Sequence, residues 1–279
     1  MEKLLFAILL VLLAPISAYA YVPALSAPDG IVVADPLIMN VIFGELHDDP
    51  AVVRFSLPSG GNLSLSLLTP RVVNPEGKFD AVIVNESQGN IAGILEAGSL
   101  PWELYRDTAL AEDFLKGPEL AQVLPPGKYR IVVTSAGNTG KFALQIGSDN
   151  RFSLKDYFQL AQMGPTLKRD YFERSTFSFA YSLLGLVYIV CLLFIGGITG
   201  LLVRRTAYAS LLWRKLWGKS AGTPLFQFFT ALFAFVIFCL LLLLALFTSW
   251  NILLLLSGGF FLFLSAHGFV RIRNIMRAD

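Results

Sequence analysis

Few residues of this chain are of a type that does chemistry. The 279 residues include two histidines and two cysteines. His47-Asp48-Asp49 groups side chains of metal-ligating type,. A lone histidine beside two aspartates ahead of a strand also suits a solvated turn. His267 lies near the end of the last long apolar run. An ionisable side chain within a membrane marks a functional hypothesis by default. One histidine cannot supply both axial ligands of a haem, however, and no second one lies in the apolar runs. A hydrogen bond to a headgroup or a neighbouring helix is the expected role. Cys191 and Cys239 also sit in apolar runs, where a thiol behaves as a small buried hydrophobe,. The polar half has no cysteine, which rules out a disulfide framework there,. Gly-x-Ser-x-Gly, His-Glu-x-x-His and phosphate-loop patterns are all missing,. These observations predict a chain without catalysis, cofactor or metal.

Two stretches have residues suited to binding. Trp102, Tyr105 and Arg106 fall in a long excursion between strand patterns ending at Val84 and resuming near Pro126. Structureless loops of that length are uncommon in compact domains, so structure or function is expected in it. Leu104, Ala111 and Leu115 have helical spacing, which predicts a helix over 104–115,. The excursion is then either a lid presenting Trp102, Tyr105 and Arg106 to a ligand or partner, or a helix over an open sandwich end with Trp102 as its anchor. The second stretch follows Val203. Arg204, Arg205, Arg214, Lys215 and Lys219 interleave with Trp213 and Trp217, without an acidic residue. The pattern suits an interfacial helix on anionic lipid, with a protein groove as the alternative.

The elements that hold these stretches divide the chain sharply. Hydrophobic residues make up 55% of it, and the net charge is only +2, which gives no reason to expect a nucleic-acid partner,. Residues 1–20 read as a secretory signal: Lys3, an apolar run from Leu4 to Leu13, then Ala18-Tyr19-Ala20 with cleavage expected after Ala20,. Residues 177–203, 225–249 and 252–270 are apolar enough for three transmembrane helices,. The basic loop 204–224 and the tail 271–279, with Arg271, Arg273 and Arg277, are the positive segments. By the positive-inside rule both are cytoplasmic and the N-terminal half is outside. Gly258-Gly259 is expected to let helices approach closely,.

Residues 21–150 carry short strand patterns between turn residues. Leu63-Ser64-Leu65-Ser66-Leu67 alternates most cleanly, with leucine toward a core and serine toward water,. Tyr129–Val133 and Phe142–Ile146 flank a Gly-Asn turn as a hairpin,. Six to eight such strands predict an antiparallel, jelly-roll-like β-sandwich. In the connector, 151–176, Ser153 and Asp156 form a capping-box variant,. The helix it opens would bury Phe152, Tyr157, Leu160 and Ala161 and stop at Gly164-Pro165,. Tyr171 and Phe172 are placed at the outer headgroup level. Asn62-Leu63-Ser64 and Asn85-Glu86-Ser87 match the glycosylation sequon,.

The segment Leu124-Pro125-Pro126-Gly127-Lys128-Tyr129-Arg130-Ile131-Val132-Val133, followed by Gly140-Lys141-Phe142-Ala143-Leu144-Gln145-Ile146, resembles the closing hairpin of bacterial pre-peptidase C-terminal-type sandwiches. That family usually has an Asp-rich strand where this chain reads Phe79-Asp80-Ala81-Val82-Ile83-Val84, so no calcium site is carried over. The resemblance implies a non-catalytic accessory sandwich.

Together these readings predict a membrane-anchored extracytoplasmic binding or interaction protein. Its expected partners are membrane lipids and another membrane or envelope protein, or an extracytoplasmic ligand. The alternative is an accessory subunit of a larger membrane complex.

Overall fold

The computed structural model describes residues 21–26, 30–74, 77–151, 153–205, 224–248 and 250–276. The chain divides into two compact units, the first closing at Arg174 apart from a few later residues.

Among the described residues the first unit is a β-sandwich of eleven strands rather than six to eight. They are β1 (Val22–Leu25), β2 (Ile31–Val33), β3 (Asn40–His47), β4 (Ala51–Leu57), β5 (Gly61–Pro70) and β6 (Phe79–Asn85). Then come β7 (Ile91–Leu95), β8 (Glu103–Asp107), β9 (Glu112–Leu124), β10 (Gly127–Ser135) and β11 (Thr139–Ile146). One sheet has the order β1-β3-β11-β5-β9-β8 and the other β2-β4-β10-β6-β7. The pairings are antiparallel, except that the short edge strands β1 and β2 run parallel to β3 and β4. The β10–β11 hairpin turns through Gly137 and Asn138, both at positive φ, as that sequence predicts,.

The period-2 rule fills the space between the sheets. Leu63, Leu65 and Leu67 on β5 meet Phe142, Leu144 and Ile146 on β11 and Ile83, Tyr129 and Ile131 of the opposite sheet. Tyr129 stacks on Phe55 with centroids 5.5 Å apart, and its hydroxyl donates to the Pro125 carbonyl at 2.8 Å. The other face of β5 meets water only at its start, where Asn62 is exposed and Ser64 half-buried, and is covered beyond that. Ser66 and Leu68 are each only 3% exposed. Asn85 is buried too, and its Oδ1 accepts from the Ser87 and Gln88 amides, which removes it as a modification site.

The outer face of the six-stranded sheet has a cover of its own. Helix α1 (Leu154–Thr166) starts at the expected capping box: Ser153 Oγ accepts from the Asp156 amide, and the Asp156 carboxylate accepts from the Ser153 amide at 2.7 Å. Tyr157, Leu160 and Ala161 are buried as predicted, while Phe152 lies outside the described residues. The helix does not stop at Gly164-Pro165. It runs through the proline and widens into a π-helical turn, Leu167–Tyr171. Pro165 lacks an N–H and loses one helical hydrogen bond. Burial of Leu167, Tyr171 and Phe172 continues the turn past that loss,. Tyr171 and Phe172 are therefore not headgroup anchors. They meet Phe43 of β3 with ring centroids 5.2 and 6.4 Å away, and Phe172 also meets Phe114 of β9.

Among the described residues the second unit has three helices long and apolar enough to cross a membrane: α2 (Leu183–Arg205), α3 (Pro224–Phe247) and α4 (Ile252–Met276). A 3₁₀ turn, Thr176–Tyr181, precedes α2, so the regular helix starts later than the apolar run does. Helices α2 and α4 touch backbone to backbone. A Cβ on Gly196 would strike the Leu256 carbonyl, and one on Gly259 would strike the Leu193 carbonyl. This is the close approach expected of small residues in membrane helices. The turn into α4 places Trp250 at φ 54°, only 2% exposed, edge-on to Phe179 at 4.9 Å. Asn251 caps α4 through the Leu253 amide at 2.8 Å,.

Candidate binding site at an open sheet edge

The predicted helix over 104–115 is instead a hairpin. Strand β8 pairs antiparallel with β9 in the register Leu104↔Leu115, Tyr105↔Phe114 and Arg106↔Asp113. Its turn is organised by Asp107, whose Oδ1 accepts from the Ala109 and Leu110 amides at 2.7 and 3.1 Å. Ala111 then takes a left-handed conformation, φ 53°. Spacing of Leu104, Ala111 and Leu115 fits both readings. The turn-forming Asp107-Thr108 was the signal for the hairpin.

The three residues singled out in this excursion have different fates. Trp102 packs inward. Its indole N–H donates to the Ala97 carbonyl at 2.9 Å, and its ring occupies the space a side chain at Gly117 would need. It is an anchor. Tyr105 and Arg106 lie on β8, whose first four residues are exposed. Tyr105 is 41% exposed, and the Lys116 ammonium sits 5.6 Å from its ring centroid,. Burial, then the nearby Asp107 carboxylate, raises its hydroxyl pKa. The Arg106 guanidinium pairs with Asp113 at 2.8 Å. Leu104 beside them is 62% exposed.

As the last strand of its sheet, β8 has no strand neighbour on one side among the described residues. Natural sheets guard such edges with covers, prolines, lysines, bulges or very short strands. Edge strand β1 is contacted by α1, where Gln159 donates to the Pro23 carbonyl at 3.4 Å. Edge strand β2 has three residues. Edge strand β7 contains a glycine and shifts register at Ile83/Val84. Among the described residues strand β8 has no helical cover, proline or bulge, and its register is regular; its guards are the charges of Glu103, Arg106 and the buried Asp107, which leave Leu104 and Tyr105 open,.

A cluster of buried charge on the outer sheet face was missed by the sequence reading. Lys168 of the π-helical turn, 1% exposed, donates to the carboxylate of Glu112 on β9, 2% exposed. Burial lowers the Lys168 pKa, against the pull of Glu112. Arg174 lies 3.6 Å from the other Glu112 oxygen. Lys141 of β11 donates to the Asp170 carbonyl at 3.1 Å and to Glu173 at 2.7 Å. Asp107 also accepts from the buried Tyr21 hydroxyl at 2.7 Å, and burial raises the pKa of that carboxyl despite its hydrogen bonds. The partners in these pairs lie far apart in the chain, so no local pattern marks them.

The remaining candidates form no cluster. The His47 side chain is 78% exposed and 3.9 Å from Glu45. His267 stacks on Phe263 one turn earlier in α4. Among the described residues no group of His, Cys, Asp or Glu could hold a metal ion. Arg204 and Arg205 end helix α2. Trp213, Arg214, Lys215, Trp217 and Lys219 lie outside the described residues.

No family model matches the chain, and no curated protein does. Among solved structures it is similar to the pre-peptidase C-terminal domain of a collagenase from Bacillus anthracis, the family its closing hairpin resembles. Identity there is 20%, the match covers 43% of this chain and 96% of that one, and the TM-score is 0.29. It is also similar to CBM27-1 of Caldicellulosiruptor saccharolyticus, solved in complex with mannohexaose (9% identity, 43% and 70% covered, TM-score 0.26). A third is a surface-associated copper-binding protein of Methylomicrobium album BG8 (7% identity, 46% and 98% covered, TM-score 0.23). Likenesses at this level say nothing of what this chain binds.

Proposed function

We propose that this chain is a membrane-anchored, non-catalytic binding protein. Its sandwich lies outside the cytoplasm and its C-terminus inside. The orientation rests on the cationic residues after α2 and at the end of α4, which the positive-inside rule keeps in the cytoplasm. The basic loop 204–224 also meets anionic lipid in this reading, through the residues named above.

The observation that carries the binding role is the open, regular edge of β8, with Leu104 and Tyr105 exposed on it. An extended segment of another envelope or membrane protein would add to it as a further strand. Main-chain hydrogen bonds would supply affinity, and Leu104, Tyr105 and Arg106 would supply selectivity. Trp102 would act indirectly by fixing the approach to the strand.

A photoreactive residue replacing Leu104, in the full chain in native membranes, tests this reading. It should yield one defined adduct, and Tyr105→Lys should abolish that adduct without lowering Tm. The same probe replacing Ile94, on edge strand β7, should give none. Equal labelling from both edges, or survival of the adduct in Tyr105→Lys, would contradict the role of β8.

The accessory-subunit reading is favoured by a different surface. Phe229 and Phe233 stand one turn apart on α3 at 57% and 67% exposure. A protein adduct from a probe replacing Phe233, with none from Leu104, would move the binding site into the membrane.

A further inference from the structure

The segment from Leu154 to Arg174 covers the outer face of the six-stranded sheet in two ways. One is apolar: Tyr157, Leu160, Ala161, Leu167, Tyr171 and Phe172 are all buried. Such contact is non-directional and tolerates displacement along the sheet. The other is ionic and reciprocal. Lys168 reaches from the segment to Glu112 on the sheet, and Lys141 reaches from the sheet to the Asp170 carbonyl and Glu173 on the segment. Each link has a buried member, and each fixes a specific pair of positions.

The path of the segment shows what these links oppose. Pro165 interrupts the helical hydrogen bonding, the next turn widens, and Glu173 takes a left-handed conformation at φ 54°. That conformation is unfavourable for a non-glycine residue. The Glu173 carboxylate is the same one that Lys141 holds. A buried ion pair contributes little net adhesion, because desolvation offsets the attraction, and its best-attested use is to set register.

We propose that residues 154–174 form a latch on the sandwich, with the Lys168–Glu112 pair as its register lock and the aromatic contacts as its adhesive. Without the lock the latch still adheres, aligned only through Lys141 and its largely exposed partner Glu173, and it samples several alignments. Removing Lys168 leaves the buried Glu112 with only the more distant Arg174, and removing Glu112 leaves Lys168 buried without its ion-pair partner. Removing both leaves a sticky surface whose register depends on the Lys141 link alone.

The test uses the full-length protein in lipid nanodiscs, comparing Lys168→Met, Glu112→Leu and the double variant. Each single change should lower Tm by several degrees. The double variant should recover most of that loss, yet amide hydrogens of 154–174 should exchange at least tenfold faster than in the parent. Strands β4, β6 and β10 should keep their exchange rates. A double variant as unstable as the singles would overturn the proposal, since the pair would then be the adhesive. Wild-type protection of 154–174 in the double variant would overturn it as well, since the Lys141 link and the aromatic contacts would then fix the alignment without the Lys168–Glu112 pair. Should the double variant fail to accumulate, the charge swap Lys168→Glu with Glu112→Lys gives the same reading. It should restore the protection lost in Lys168→Glu alone, and failure to restore it counts against the lock.

Discussion

The two faces of the six-stranded sheet both bury side chains but are built differently. The inner face meets the second sheet through leucine, isoleucine and aromatic side chains. The outer face meets 154–174 and mixes Phe43 and Phe114 with Glu112, Lys141 and Lys168. The inner face is a set of interchangeable apolar volumes. The outer face contains fixed pairs, and its tolerance of change must be lower per residue.

The largest expected effect comes from breaking one of those pairs. Lys168→Met strands Glu112 with only the more distant Arg174, and should cost about 3–5 kcal/mol in reversible thermal unfolding. Lys168→Met with Glu112→Leu should cost far less than the single change. If Lys168→Met alone costs nothing, the outer face is no more specific than the inner one.

Next in size is the inner face. Leu65 is fully buried, so Leu65→Ala should cost roughly 2–5 kcal/mol by loss of transfer energy and creation of a cavity,. Its neighbour Ser66 sharpens the contrast. The Ser66 hydroxyl is buried without a hydrogen-bond partner among the described residues. Ser66→Ala should therefore be neutral or slightly stabilising, because it removes an unpaired polar atom. A loss near that of Leu65→Ala would show a partner for the hydroxyl.

Alkaline titration should separate the faces more gently. The folded protein holds Lys168 below the ordinary lysine value of 10.5, so below that pH the unfolded chain binds more protons at this site,. Stability from this group therefore rises as pH climbs through the window beneath 10.5, and is lost again as pH falls through the folded value. Lys168→Met should flatten that rise, read from urea midpoints across the alkaline range, while Leu65→Ala should leave its slope unchanged.

The smallest effect is expected at the open edge. Tyr105→Ala should change stability by less than about 0.5 kcal/mol, since the side chain is substantially exposed,. It should nevertheless weaken the adduct formed from position 104. A stability loss above 1–2 kcal/mol would make Tyr105 a packing residue.

What the sequence revealed follows the same division. Strict alternation on β5 specified the inner face, because a two-residue period against one core leaves little choice. The three membrane helices were legible for a similar reason: long uncharged runs have few other folds. Alternation could not show that the serine side of β5 is also covered. The cover comes from 154–174, distant in sequence, and its key pair joins Lys168 to Glu112 across that distance. At the candidate site, Trp102, Tyr105 and Arg106 were the right neighbourhood, but Trp102 turned inward. Helical spacing over 104–115 was a coincidence of period. Asp107 held the better signal, because an aspartate that caps its own turn ends a strand.

The central claim is that the sandwich is presented outside the membrane that the three helices cross. A phosphatase or fluorescent reporter fused after Asp279 reads this most directly, paired with protease treatment of intact cells. A cytoplasmic signal from the reporter and cleavage of the sandwich from outside are expected. A reporter active on the outer side, with the sandwich protected, would contradict it.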